Sequence, residues 1–211
     1  MKLTTLPQKF QASLPLLVAL LVCIDFDLPL ASQSTEVQRK VVGQPLTAEQ
    51  LAVYRTMLVS WYQGEKAKIN LGALTDSISV TDNSPDKGCM KGLSMEAPAA
   101  GLVHQIRQED LVHLGPFEFR LIQPNAGEKE VSDNDPGKAI QKGKAVDQAV
   151  ENGFAHGLLT IGEIQFDNTH THAVVSFSFV CGGLCGNGTT MLLEKKDGVW
   201  RKKAQCGGWV S

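Results

Sequence analysis

The sequence predicts an α+β domain in which N-terminal helices pack on a C-terminal four-stranded antiparallel meander. Three observations predict it. A capping box at Thr47 opens an amphipathic helical stretch, helical spacing returns over residues 138–154, and everything after Gly157 alternates apolar with polar residues between short turns. The chain of 211 residues is long enough for one domain with a substantial core. Its formal net charge of -2 lacks the basic excess that a phosphate backbone demands, which argues against a nucleic-acid partner.

The N-terminus sets the compartment expected for the rest. Lys2 and Lys9 precede an apolar run, Leu14 to Ile24, that ends at Asp25. A bilayer-spanning helix needs roughly 20 apolar residues, so the run is short for a span and has the length and flanks of a secretory signal. Residues 1–32 are therefore expected to be a signal peptide, 33–46 a flexible leader and 47–211 a single α+β domain. Ala31, Ser32 and Ser34 supply the small residues for cleavage. An uncleaved membrane anchor is the alternative, since Leu28 and Leu30 extend the apolar run. Val22 precedes Cys23 where a lipid-attachment signal has Gly, Ala or Ser, which argues against lipidation. Cleavage removes Cys23, one of five cysteines, and leaves Cys89, Cys181, Cys185 and Cys206. An even count outside the cytoplasm reads as two disulfides, and no membrane span is expected after cleavage.

Thr47-Ala48-Glu49-Gln50 is a capping box, and Leu51, Tyr54, Leu58 and Trp61 follow at helical spacing, which predicts a helix from 47 to about 63. Trp61 and Tyr62 at its end read as core aromatics. Residues 69–78 are β-prone, and 81–92 are rich in turn formers, with Cys89 in that loop. The run from Gln108 to His113 suggests a short helix, and Phe117 to Leu121 alternates as a half-buried strand. The polar stretch 124–137 reads as a long loop. Its Asp133 and Asp135 have the alternation of a calcium loop, but no glutamate follows at the proper distance. Asp135-Pro136 equally fits an N-cap followed by proline at the first helical position. Gly143 should weaken the middle of the helix that follows, which leaves one helix or two short ones open.

Four strands are expected in the last third: 159–166, 173–181, 189–195 and 199–206. Asp197-Gly198 between the last two is a strong hairpin signal. A two-residue turn there places Lys196 opposite Val199 and Cys206 opposite Thr189. Pairing Asp167 with His172 places Leu158 opposite Cys181, with His156 just beyond. Cys181, Cys185, Cys206 and His156 are thus expected to gather at one end of the sheet.

Two readings of that cluster stay open. In the first, Cys181 bonds Cys185 across a three-residue bend and Cys89 bonds Cys206, with Cys185 to Cys206 as an alternative link. In the second, the cysteines and His156 form a thiol or metal site, although CGGLC is neither C-x-x-C nor a zinc-ribbon spacing. His170 and His172 make an H-x-H without a visible third ligand, and read as exposed turn histidines. Ser176 and Ser178 alternate with Phe177 and Phe179 on the outer side of a strand. Asn187-Gly188-Thr189 matches a glycosylation sequon. No nucleophile elbow, zincin, P-loop or dinucleotide motif occurs, so no catalytic residue, metal or cofactor is expected.

The stretch VVSFSFVCGGLCGNGTTMLLEKKDGVW, residues 174–200, resembles the C-terminal part of exported bacterial proteins of unknown function that carry a strand, CGxLCGxG, a second strand and LEKxxGxW. That group brings no binding or catalytic residues. A weaker similarity is to the NTF2-like or cystatin-like fold, in which helices precede a curved sheet; Gly198-Val199-Trp200 would begin its last strand. The leading expectation is an exported, disulfide-stabilised binding or envelope-associated module for a small-molecule or protein ligand. The alternative is a hydrolase-type enzyme with a pocket between the sheet and the first helix, where His104 or His156 would act beside a carboxylate.

Overall fold

A computed structural model describes residues 41–42, 45–62, 68–77, 88–97 and 103–211, all within one compact unit, Gln38–Ser211. The expected signal peptide, Cys23 and most of the expected leader lie outside the described residues. Strand β1, Val41–Val42, is within that leader but pairs in parallel with β3, Val103–His104.

Helix α1 spans Ala48–Trp61 and has the expected capping box: the Thr47 side chain accepts from the Gln50 amide at 3.2 Å. Strand β2, Lys68–Gly72, precedes β3, and a short 3-10 helix, Gln108–His113, leads to β4, Glu118–Ile122. Then come α2, Pro124–Asp133, α3, Pro136–Gln141, and α4, Val146–Ala155. The remaining strands are β5, Leu158–Ile161, β6, Gln165–Phe166, β7, His172–Gly182, β8, Cys185–Lys196, and β9, Val199–Val210.

The main sheet runs β4-β2-β5-β7-β8-β9, with β6 pairing β7 beside β5. The α+β class holds, but the sheet is mixed, which corrects the four-stranded antiparallel meander. β5, β7, β8 and β9 are antiparallel, whereas β2 pairs in parallel with both β4 and β5. Residues 69–72 of β2 are all buried, as in a parallel strand covered on both faces, so they lack the alternation that marks a half-exposed strand.

Residues 124–133 form α2 rather than the first part of an expected loop. Pro124 occupies the first helical position, where its missing amide costs nothing. The helix buries Gly127, not an apolar stripe, so hydrophobic spacing gave no sign of it. The later helix divides at Gly143, whose φ is +91°.

The expected strand 159–166 is broken into β5 and β6. Ile161 lies opposite Phe177 and Gln165 opposite Val174, so residues 162–164 face only Val175 and Ser176. The extra residue makes a β-bulge, which re-aims the side chains around Glu163. Lys196 lies opposite Val199 as expected, and Asp197 and Gly198 both have positive φ, 53° and 77°.

The expected clustering of Cys206 with Cys181 and Cys185 does not occur. The β7–β8 hairpin closes tightly, with Gly182 opposite Cys185, so β8 already begins in the glycine-rich stretch. Two irregularities then shift the β8–β9 register, and Cys206 falls between the partners of Thr190 and Met191, partway along the sheet.

Helix α1 covers one sheet face through Val53, Tyr54, Met57 and Leu58, all fully buried. They meet Leu159, Ile161, Val175, Phe177, Met191 and Leu193, and each large side chain contributes about 1.5–3 kcal/mol on burial. Trp61 packs on Phe177, ring centroids 4.9 Å apart. The opposite face carries Leu158, Thr160, Val180, Ser178 and Ser176, and α2 covers only its Leu158–Val180 end.

Candidate functional site

Two disulfides take up the four described cysteines. Cys89 bonds Cys206 with Cα atoms 5.2 Å apart, fastening segment 88–97 to β9. Cys181 bonds Cys185 with Cα atoms 5.1 Å apart, across the tip of the β7–β8 hairpin. Both separations suit a disulfide. Sulfurs engaged in this way are not thiolate nucleophiles or metal ligands, which removes the thiol or metal reading of Cys181, Cys185, Cys206 and His156. Among the described residues no group of three or more His, Cys, Asp or Glu is placed to hold a metal ion.

Asp135, considered above as a cation ligand, is a cap. Its carboxylate accepts from the amides of Lys138, at 3.1 Å, and Gly183, at 2.8 Å, so it starts α3 and holds the disulfide loop at once. The Gly183 and Lys138 amides hold its pKa below the usual carboxylate value. Asp133 pairs instead with Lys129 one helical turn earlier.

His156 sits at the C-terminal cap of α4, and its Nδ1 lies 2.6 Å from Glu130 Oε1 on α2. Arg120 on β4 donates to the same oxygen at 2.6 Å, while its Nε donates to Asn70 Oδ1 at 2.8 Å. Asn70 in turn donates to the Gly157 carbonyl at 3.0 Å. This chain of bonds ties α2 and α4 to β2 and β4. The His156 contact, followed by Arg120, lowers the Glu130 pKa.

His104 on β3 faces Glu163 in the bulge, with Nδ1 2.8 Å from Oε2. The His104 amide donates to Glu163 Oε1 at 2.8 Å, and the Thr75 hydroxyl donates to that oxygen as well. Tyr54 donates from α1 to the Gly162 carbonyl at 3.0 Å. Burial, and secondarily the Glu163 charge, push the Tyr54 pKa well above its usual value, so it stays a neutral donor. The pair thus locks β3 to the bulge. Both His104 and His156 do lie beside carboxylates, but the clefts described below are lined by other residues.

His170, in the β6–β7 turn, stacks on Phe166 and bonds Glu49 of α1 at 3.0 Å and Glu96 at 3.2 Å. The Glu49 contact leads the causes that raise its pKa. Asp167 nearby is opposed by burial but accepts from the His172 amide, the Thr169 hydroxyl and the Thr171 amide, and its pKa is strongly lowered. The two histidines of the H-x-H are therefore bound to carboxylates within a turn.

The space expected between sheet and first helix is filled along most of α1 by Tyr54, Met57 and Leu58. At the C-terminal end of α1 a cleft of about 590 Å³ remains beside Trp61, Met191 and Gln205, and among the described residues no histidine or carboxylate lines it. Two further clefts, of about 450 and 420 Å³, flank α2 and the disulfide hairpin.

A different arrangement occupies the sheet face opposite α1. Thr160, Ser178, Gly188 and Trp209 stand in one row across β5, β7, β8 and β9, and Ser176, Thr190 and Gly207 stand in the next. Of these, Thr160, Ser176, Ser178, Thr190 and Trp209 line a groove of about 300 Å³, together with Asp76 and Gly208. Among the described residues, the side chains of Asp76, Ser176, Ser178 and Thr190 make no internal hydrogen bond. Thr160 reaches the Ser178 carbonyl only at 3.4 Å.

The alternation of Ser176 and Ser178 with phenylalanines already placed them on the outer face. Trp209 and Asp76 were missed, because Trp209 lies beyond the expected end of the last strand and Asp76 joins the site only through its bridge to Gly162. Comparison of the chain with family models, curated proteins and solved structures finds no match.

Proposed function

We propose that this chain is an exported, disulfide-stabilised binding module whose ligand occupies the groove between Asp76 and Trp209. The observation that carries the reading is a contrast between two kinds of polar group. The His104–Glu163 and His156–Glu130 pairs spend their hydrogen bonds holding elements together. The hydroxyls of Ser176, Ser178 and Thr190 and the Asp76 carboxylate converge on a groove with no internal partner among the described residues. Polar groups that converge on a concave site without internal partners are what a ligand needs. Export is supported by the N-terminal signal pattern and by the two disulfides. No helix among the described residues is long and apolar enough to cross a membrane.

Hydrogen–deuterium exchange tests the binding site. The oxidised protein is incubated with the small-molecule fraction of the producing cells' envelope and medium. Protection confined to 176–178, 188–190 and 207–209 is expected. Protection around His104 or His156 instead, accompanied by turnover, would establish the enzymatic alternative.

A further inference from the structure

We infer that the groove takes a neutral carbohydrate, a single pyranose ring or the end of a glycan chain. The inference rests on the binding reading above and names its ligand. Trp209 carries the first part. It stands opposite Gly188, and its indole lies across both Gly188 and Gly186. A Cβ on Gly188 would come within 2.3 Å of the indole Nε1, and one on Gly186 within 3.1 Å of Cη2. Two glycines at alternate positions of β8 thus clear a floor for the ring, which remains 45% exposed. An apolar ring laid over a sheet beside a polar groove offers a flat surface to a ligand that is apolar on one side and polar on its rim.

A pyranose has that character, because its axial C–H bonds form apolar faces while hydroxyls radiate from its edge. The C–H face can stack on the indole through dispersion and weak C–H contacts. The rim then meets Thr160, Ser176, Ser178 and Thr190, each able to donate and to accept. Sugar hydroxyls need both roles at once, which a wall of hydroxyls supplies and a wall of cations does not.

Asp76 supplies the remaining element. It is exposed, and its carboxylate accepts charge-assisted hydrogen bonds from sugar hydroxyls. The same charge disfavours anionic ligands, and among the described residues no lysine or arginine lines the groove to neutralise a phosphate or carboxylate. Its volume of about 300 Å³ is at the small end of ligand clefts, roughly 300–1,000 Å³, which suits a single ring better than a long chain. The position is also framed by the fold: α2 covers the Leu158–Val180 end of this face, and segment 94–97 hydrogen-bonds β6 and its turn.

The test uses the oxidised, signal-free protein with two probe panels, read by isothermal titration and by tryptophan emission. The first panel holds cello-, malto-, chito- and manno-oligosaccharides. The second holds amino acids and dipeptides. Binding from the first panel is expected, with Trp209→Ala weakening it about tenfold or more, as loss of one stacking contact and its buried area implies. Asp76→Asn should weaken it about threefold while leaving thermal unfolding unchanged, since Asp76 has no side-chain partner among the described residues to lose. Should Trp209→Ala unfold, Trp209→Phe keeps a stacking ring and is expected to retain most of the affinity. Binding of the second panel alone, lost on the same substitutions, would overturn the carbohydrate assignment and leave the binding site in place. Glycan binding unaffected by either substitution would overturn this groove as its location. Silence of both panels would overturn the carbohydrate assignment together with the binding reading.

Discussion

Glu163 takes two hydrogen bonds from His104, one from its backbone amide at 2.8 Å and one from ring Nδ1 at 2.8 Å. The two residues lie 59 positions apart in the chain, and Thr75 donates its hydroxyl to the same carboxylate. Replacing Glu163 by alanine, in a site that is 8% exposed, would strand the His104 ring Nδ1–H, whereas the His104 amide keeps the Thr75 hydroxyl at 2.7 Å and that hydroxyl keeps the His104 carbonyl at 3.2 Å. A stranded buried donor costs about 1–3 kcal/mol. Glu163→Ala should therefore destabilise by more than Glu163→Gln, which keeps one acceptor. Urea unfolding checks both; a loss under about 0.5 kcal/mol for the alanine variant would place it with ordinary surface substitutions.

His170 joins the β6–β7 turn to α1 through Glu49 and to segment 94–97 through Glu96. Its pKa is raised from 6.5, chiefly by the Glu49 hydrogen bond, so the folded protein holds this proton more tightly than the unfolded chain does. The contribution is present below 6.5 and lost as pH rises through the raised value. Glu49 acts in the opposite sense. Its pKa is lowered from 4.5, first by the Lys195 hydrogen bond, so its contribution is present above 4.5 and lost as pH falls. The stability difference between the wild type and His170→Asn should be largest between these limits and shrink at alkaline pH. Asn tolerates the positive φ of 53° at this position. The side chain is 45% exposed, so screening limits the effect to no more than about 0.5 kcal/mol. Denaturation across a pH series measures it, and a difference that grows above pH 8 would contradict the assignment.

The two disulfides should differ in worth. Cys89 and Cys206 are 117 residues apart, Cys181 and Cys185 only four. Loop-closure entropy in the unfolded chain assigns about 4.7 kcal/mol to the first and about 2 kcal/mol to the second. Paired alanine substitutions, compared by denaturant midpoint, should reproduce that order; equal losses would show that native-state contacts rather than chain entropy set the values.

Gly153 on α4 packs against Pro136 so closely that an added Cβ would lie 2.4 Å from the proline Cγ. A proline ring cannot swing away, so Gly153→Ala should cost about 1–3 kcal/mol through overpacking. Gly88→Ala, where no atom of the described residues lies within 4 Å of the new atom, is the control and should be near neutral. Thermal melts of the two variants compare them directly.

Much of this architecture was legible because local chemistry and tertiary fold agree. The Thr47 capping box, the Asp135-Pro136 start of α3, the break at Gly143 and the Asp197-Gly198 turn are each set by a few adjacent residues. Where burial or long-range pairing decides, the local pattern fell short. The β2 strand hides its period by being buried on both faces, and α2 meets the sheet through Gly127 rather than an apolar stripe. The register of Cys206 moved because two irregularities in β8–β9 cannot be counted from composition. The groove was half legible: strand alternation exposes Ser176 and Ser178, but bringing Asp76 to them needs the parallel bridge to Gly162.

Whether the chain works outside the cytoplasm as an oxidised module is decided by intact mass. Protein recovered from cells producing the full chain is weighed with and without reduction. An N-terminus between Ala31 and Ser34 is expected, with the unreduced form four hydrogens lighter than the reduced one through Cys89–Cys206 and Cys181–Cys185. A chain that keeps Met1 and Cys23 and shows the same mass before and after reduction would contradict it.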